Sequence, residues 1–410
     1  MKILVFSQLY HPETATITEL CERLVEQGHH VTVMTGIPNA PKGEIFQGYG
    51  FTKKLREIIN GVDVRRNWLI PRGSGNNLRM SINYLSFVLF CSLGIIRLAK
   101  NSYDIILVNQ LSPITVALPA ILYKWISKKK IVMWIHDLWP DSVIAANAMK
   151  EGFFYRLIDR LVKFIYRQCD FFLPQSKAML NTLNDRGLSD SKMKYLPNPI
   201  DSNFSPSTSG SRRKKPSIMT DIDDKFSIMF AGGIGLAQDF DTILNAAVKL
   251  KDLKNLQILI VGDGRDKLRA ESLSKSLDIA SFVHFLGQHP IDEMPDFYDQ
   301  ADFMMVTLRD TAIFSVTVPL KIQTYMASGK PIISNVKGEA ARVIKQANCG
   351  YSVNPEDSEA LAQAIRNAKC LSTIEIDKLG ANARAYFNQN YSTPVIIDRF
   401  ESVCHELLDS

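Results

Sequence analysis

Short apolar runs alternate with longer stretches that repeat their apolar positions at helical spacing. In the first half the runs are Lys2–Phe6, His30–Thr35, Val62–Asn67, Asp104–Asn109, Ile131–His136 and Phe171–Pro174, and their length and polar boundaries read as buried strands. Between the first two, residues 18–28 (TELCERLVEQG) place Leu20, Cys21 and Leu24 on one helical face, with Gly28 positioned to end the helix. This is a βαβ unit. Its repetition predicts a mainly parallel sheet covered by helices on both faces.

Residues 201–225 (DSNFSPSTSGSRRKKPSIMTDIDDK) lack apolar periodicity and read as a linker or surface loop. The alternation then restarts at Phe226–Ala231, Leu256–Val261, Val283–Leu286, Phe303–Thr307, Pro331–Ser334 and Gly350–Val353. Two α/β domains in tandem follow, expected over 1–200 and 226–385. The expected small-molecule site is the crevice where the C-terminal ends of their strands face one another. Residues 386–410 are helical in pattern apart from a break at Ser392-Thr393-Pro394, and such a helix is available to pack back onto the first domain.

Composition agrees with this division. A chain of 410 residues exceeds the usual reach of one core, and 46% hydrophobic with 22% charged residues excludes a largely disordered protein. Cys21, Cys91, Cys169, Cys349, Cys370 and Cys404 are dispersed and form no CxxC or Cys/His cluster, so neither a disulfide framework nor a zinc site is expected. The opening MKILVFSQLY reads as a first buried strand rather than a signal peptide, which predicts a cytoplasmic protein.

Charge is uneven. Residues 1–200 carry 25 Lys+Arg against 15 Asp+Glu, a net +10, while residues 201–410 carry 23 against 27, a net −4. The apolar run from Tyr84 to Ile96 lies in the basic half and falls short of the roughly 18–20 residues that span a bilayer. It reads either as internal packing or as a helix that also seeks a membrane surface.

Three glycine-bearing segments in the second half invite phosphate chemistry. Phe230-Ala-Gly-Gly-Ile-Gly235 follows a strand and precedes a helical run, so its glycines allow close backbone approach to a phosphate, or simply make a tight turn. Leu259-Ile-Val-Gly-Asp-Gly264 is followed by Arg265 and Lys267, cations suited to a diphosphate, or is a solvated turn. In the third segment Pro319 is placed to start a helix, Lys321 falls in its first turn, and Gly329 with Pro331 stops it. A lysine there opposes the helix dipole unless an anion meets it. In the first half, His136-Asp137-Leu-Trp139-Pro-Asp141-Ser142 sets a histidine and two carboxylates just beyond an apolar strand, where catalytic groups of α/β sheets lie, although Asp141-Ser142 can equally cap a helix. Glu13, after the first strand, is either a ligand for an acceptor hydroxyl or the start of the first helix.

Together the opening KILVFSQLYHPE, the block TGIPNAPKGEIFQGY over 35–49, HDLWPDS, FAGGIG, VGDG and KIQTYMASGKPI resemble glycosyltransferase family 4 over nearly the whole chain. They are most similar to its bacterial branch that transfers N-acetylated deoxyamino sugars such as N-acetyl-L-fucosamine in O-antigen or capsule assembly. The resemblance implies a GT-B fold, two facing Rossmann-like domains with a central cleft, and transfer with retention from a UDP-sugar. It implies no metal and no cofactor. Gly232, Gly233, Gly262, Gly264, Arg265, Thr324 and Glu339 would bind the donor in the second domain. Glu13 and Trp139 would bind the acceptor in the first, and His136, Asp137 and Lys321 would serve catalysis. The acceptor would be a lipid-linked saccharide at the inner face of the cytoplasmic membrane, with Lys53, Lys54, Arg56, Arg65 and Arg66 as the patch that meets anionic lipid.

The chain departs from the wider family where two glutamates usually stand eight positions apart, for the matching residues are Val316 and Thr324. The usual basic residues of the first phosphate loop are also absent near Ile234 and Gln238, which leaves Lys321 and Arg265 to neutralise more charge. Nucleic-acid binding is disfavoured because no recognition motif accompanies the basic charge. A dinucleotide dehydrogenase fails because the first turn reads SQLYHPET rather than G-x-G-x-x-G. A sugar-nucleotide epimerase of the same fold and a non-catalytic partner of another glycosyltransferase remain as alternative readings.

Overall fold

The structure is a computed structural model, and it describes residues 1–13, 15–73, 75–98, 102–142, 152–200, 204–206, 213–219 and 225–409. Most of the 201–225 linker, Thr14, and residues 143–151, where a helix capped by Asp141-Ser142 would run, lie outside the described residues. The chain divides into two compact units, one of Met1–Pro199 with Ile396–Ser410, the other of Ile200–Val395.

The first unit holds seven strands: β1 (Lys2–Phe6), β2 (His30–Gly36), β3 (Arg56–Ile59), β4 (Val62–Asn67), β5 (Ile105–Gln110), β6 (Lys130–Ile135) and β7 (Phe171–Pro174). Their order across the sheet is β3-β4-β2-β1-β5-β6-β7, parallel throughout except for the β3–β4 pair. Without β3 this is the doubly wound order in which strand sequence reverses beside the first strand, here between β1 and β5. β3 is absent from the apolar-run reading because it is an edge strand with alternating exposure. Its signal is the dipeptide Asn60-Gly61 between it and β4, both residues at positive φ, which is the chemistry of a two-residue hairpin.

The second unit holds β8 (Phe226–Ala231), β9 (Leu256–Val261), β10 (Val283–Gly287), β11 (Phe303–Thr307), β12 (Ile332–Asn335) and β13 (Gly350–Val353). All are parallel, in the order β10-β9-β8-β11-β12-β13, with the reversal between β8 and β11. The continuous apolar runs are explained by burial on both sheet faces; every residue of β9 and β11 is buried.

The helix Thr393–Asp409 closes the first unit's core. Ile396, Ile397, Phe400, Val403 and Cys404 lie buried among Ile3, Val5, Val31 and Trp134. Burial of each such large apolar side chain is worth about 1.5–3 kcal/mol. Polar contacts fix the register of the helix: Glu401 bonds the His29 ring at 2.6 Å, and the Leu407 carbonyl accepts from Lys130 Nζ at 2.6 Å.

Candidate active site

In the second unit the loops after β8 and β9 lie against one another. The Gly232 amide donates to Val261 O at 2.8 Å, Ile234 N to Asp263 O at 2.9 Å, and Asp266 N returns to Ile234 O at 3.1 Å. This contact explains two of the four glycines expected to bind donor. A Cβ on Gly262 would sit 2.0 Å from Gly232 O, and one on Gly264 would sit 2.1 Å from Ile234 O. Gly262 and Gly264 are thus fixed by loop-to-loop packing. Gly233 is exposed, and a Cβ added to it would meet nothing within 4 Å, so its backbone is the open one.

The helix Leu320–Ala327 begins after Pro319 and carries Lys321 in its first turn. Tyr325, one turn on, is fully buried, and its hydroxyl bonds both the amide and the carbonyl of Ala231 at 3.1 Å, which ties the helix to the end of β8. The same packing lays the lysine over Gly232, where a Cβ would meet Lys321 Cε at 2.5 Å. Lys321 Nζ is buried, has no hydrogen-bond partner among the described residues, and stands 3.6 Å from the centre of the Phe230 ring. Burial depresses its pKa to about 7. Such an amine is a strong anion ligand held ready, because a phosphate oxygen would supply both the missing partner and the missing counter-charge.

The remaining second-unit candidates are placed differently. Arg265 is exposed on the rim of the β9 loop. Thr324 is buried, and its hydroxyl donates to Lys321 O at 2.9 Å. Glu339 is buried at the start of the helix Glu339–Ala347 and is held by Arg342 through both carboxylate oxygens. Arg342 is three residues away, so this pairing was readable from spacing.

In the first unit His136 follows β6 and is 5% exposed. Its Nε2 stands 2.8 Å from Asn109 Oδ1, Asn109 Nδ2 donates to Ser7 Oγ at 3.0 Å, and Ser7 Oγ donates to Leu9 O at 2.6 Å. With the Asn109 amide so oriented, Nε2 carries the proton, and the Asn198 side chain also stands against the ring. Burial lowers the imidazole pKa to about 3, so the ring is neutral at physiological pH. Gln175 Nε2 donates to His136 O at 2.7 Å, and the Trp134 ring packs against the imidazole with centroids 4.4 Å apart. Asn109, Ser7 and Gln175 are not evident from sequence, because strand pairing brings them in from β1, β5 and the turn after β7.

Asp137 is half-buried and its carboxyl pKa is raised by desolvation. Trp139 is buried, its indole N–H has no partner among the described residues, and its carbonyl accepts from Arg186 at 2.8 Å. Glu13 stands outside the first helix, which begins at Thr16; its Oε1 accepts the amides of Asn39 and Ala40 at 2.8 and 2.7 Å. Glu13 Oε2, Gln8 Oε1 and Gln110 Oε1 are buried without partners among the described residues, the two glutamines flanking the strand-order reversal between β1 and β5. The basic patch is largely compensated within its own hairpin. Arg56 and Arg65 bond Asp63, while Lys54 and Arg66 pair with Glu57.

Among the described residues no group of three or more His, Cys, Asp or Glu is arranged to hold a metal ion, and no helix is long and apolar enough to cross a membrane.

Residues 14–204 match the model of Glycosyltransferase Family 4, and residues 225–369 match that of the Glycosyl transferases group 1. The chain is similar to the putative colanic acid biosynthesis glycosyl transferase WcaI of Escherichia coli K12, 24% identical over 98% of both chains. It is also similar to the probable glycosyltransferase WbjE of Pseudomonas aeruginosa, 26% identical over 70% of each. Among solved structures it superposes on Anabaena HepE in complex with UDP with a TM-score of 0.73, at 16% identity over 99% of this chain and 100% of that one. With two doubly wound sheets and matches that run through both units, the chain is a glycosyltransferase of GT-B fold, similar over residues 14–204 to family 4.

Proposed function

We propose that this enzyme transfers a sugar from a UDP-sugar to a lipid-linked saccharide during surface-polysaccharide synthesis, with retention of anomeric configuration, at the inner face of the cytoplasmic membrane. The sugar we assign is an N-acetylated deoxyamino sugar such as N-acetyl-L-fucosamine. The observation that carries this reading is Lys321 Nζ, buried, unpartnered and set over Gly232 beside the open backbone of Gly233. The UDP complex of HepE and the colanic acid role in the name of WcaI support the donor and the pathway class.

In this reading the second unit binds the nucleotide sugar. Lys321, Arg265 and the Gly232–Gly233 backbone stabilise the departing diphosphate as the bond from the anomeric carbon to the phosphate oxygen breaks. Preorganised donors of this kind are each worth about 2.7–4 kcal/mol in a transition state. The first unit binds the acceptor, whose hydroxyl forms the new bond on the same face and gives its proton to the leaving phosphate. His136 enters as a neutral ring that hydrogen-bonds a sugar hydroxyl, Asp137 lies beside it, and Glu13, Trp139, Gln8 and Gln110 offer unpartnered polar atoms to acceptor hydroxyls. Thr324 and Glu339 belong to the wall near the nucleotide, Glu339 through its pair with Arg342.

Saturation-transfer NMR against UDP-, GDP- and dTDP-sugars tests the donor. Selective contact with one UDP-N-acetylamino sugar, lost in Lys321→Ala, is expected; selective contact with a GDP- or dTDP-sugar overturns the assignment.

A further inference from the structure

Three helices of the first unit, Asn77–Gly94, Ala117–Ser127 and Phe153–Gln168, connect β4 to β5, β5 to β6 and β6 to β7. All three crossovers step across the sheet in the same sense, so right-handedness puts all three helices on one face. The opposite face carries Thr16–Glu26 and Thr393–Asp409. The three pack side by side, and Trp125 Nε1 donates to Gln168 Oε1 at 3.1 Å to join the second to the third.

Their outer surface is unusual. Leu85, Leu89, Leu93 and Ile96 follow one another at three- and four-residue spacing and are 63%, 58%, 55% and 72% exposed. No charged residue occurs from Met80 to Ile96. A helix on a water-facing surface normally turns charged residues outward. The second helix exposes Trp125 and Ile126 at its end, and the third exposes Phe153, Leu157 and Phe164.

Charge flanks this apolar surface with one sign. On and beside the first two helices Arg79 and Lys128 are exposed and Lys129 half-buried, and among the described residues none of the three has a carboxylate partner, whereas Lys124 is paired with Asp170. On the third helix Arg156, Arg160 and Arg167 are exposed, and among the described residues none has a carboxylate partner; only Lys163 is paired, with Asp159. The β3–β4 hairpin lacks this character, since Asp63 and Glu57 already engage four of its five cations.

We propose that the outer face of these three helices docks on an anionic lipid bilayer, with the leucine stripe entering the headgroup boundary and the arginines meeting lipid phosphate. The inference deepens the membrane contact proposed above and moves it from the hairpin to this face. Charge selects the occupant, because a second copy would set basic face against basic face.

Full-length protein is floated with phosphatidylcholine vesicles, with and without phosphatidylglycerol, at two salt concentrations. Binding to the anionic vesicles that weakens with salt is expected. Leu85→Ser/Leu89→Ser/Leu93→Ser and Arg156→Glu/Arg160→Glu should each weaken it by about tenfold or more, and Lys53→Ala/Lys54→Ala by no more than about twofold. Vesicle binding unchanged in both helix variants, or lost in the hairpin variant alone, overturns the proposal, as does a dimer that the leucine variant converts to monomer. UDP binding, measured on the same samples, reads the sugar-transfer assignment separately: wild type that floats without binding UDP would sink only that assignment.

Discussion

Lys321 Nζ lies 3.6 Å from the centre of the Phe230 ring and, among the described residues, has no hydrogen-bond partner. The aromatic face gives the cation some attraction, but less than the water it replaces, so the free protein holds a strained amine in the place where a diphosphate would be met.

Replacing that amine should separate stability from binding. Lys321→Met removes a buried unpartnered polar group and is expected to raise Tm, while UDP affinity falls by about 10- to 100-fold, the weight of a charge-assisted hydrogen bond. Thermal melts and calorimetric titration of the same variant check both.

Binding should also move a proton. Burial holds the Lys321 pKa at about 7, well below its ordinary 10.5. Between those values the unfolded chain binds a proton that the folded chain lacks, so this group makes stability rise with pH across the window. An anion restores the ammonium. UDP binding at about pH 8 should therefore take up a proton, seen as a titration heat that varies with the ionisation enthalpy of the buffer, and its affinity should fall as pH rises above 7. Lys321→Ala should abolish the buffer dependence.

The glycines should differ sharply in tolerance. Gly262→Ala forces a Cβ to 2.0 Å from Gly232 O at a φ of +143° and should destabilise by about 2 kcal/mol or more, seen in urea melts. Gly233→Ala meets nothing within 4 Å and should leave stability nearly unchanged. If both behave alike, the packing account of the β9 loop is wrong.

That contrast marks what the sequence could reveal. Strands buried on both faces, such as Leu256–Val261, announce themselves as apolar runs, and Pro319 with Gly329 brackets the lysine helix by local chemistry alone. Gly262 and Gly264 read as glycines for phosphate contact, and nothing in the chain announces the second reason for glycine there, the β8 loop that lies against them. Arg56, Arg65 and Arg66 read as a lipid-meeting patch because the β3–β4 hairpin that brings Asp63 and Glu57 against them has no apolar run to announce its edge strand. Asn109 escaped notice for a related reason: its partners His136 and Ser7 come from neighbouring strands.

Asn109 should set the protonation of His136. Asn109→Leu leaves a buried ring N–H unpaired and should cost about 1–3 kcal/mol in denaturant melts. In the wild type, nitrogen-resolved NMR should find His136 neutral and protonated at Nε2 throughout about pH 5–8, given a pKa lowered to about 3 by burial. Asn109→Asp should raise that pKa toward the ordinary histidine range.

The most direct test of sugar transfer is UDP release from UDP-N-acetylamino sugars in the presence of lipid-linked saccharide acceptor, with Lys321→Ala as control. The account predicts acceptor-dependent release by the wild type, a product whose anomeric configuration matches the donor, and loss of turnover in the folded variant. Turnover undiminished in Lys321→Ala, or a folded, UDP-binding wild type that transfers no sugar to any lipid-linked acceptor, would contradict it.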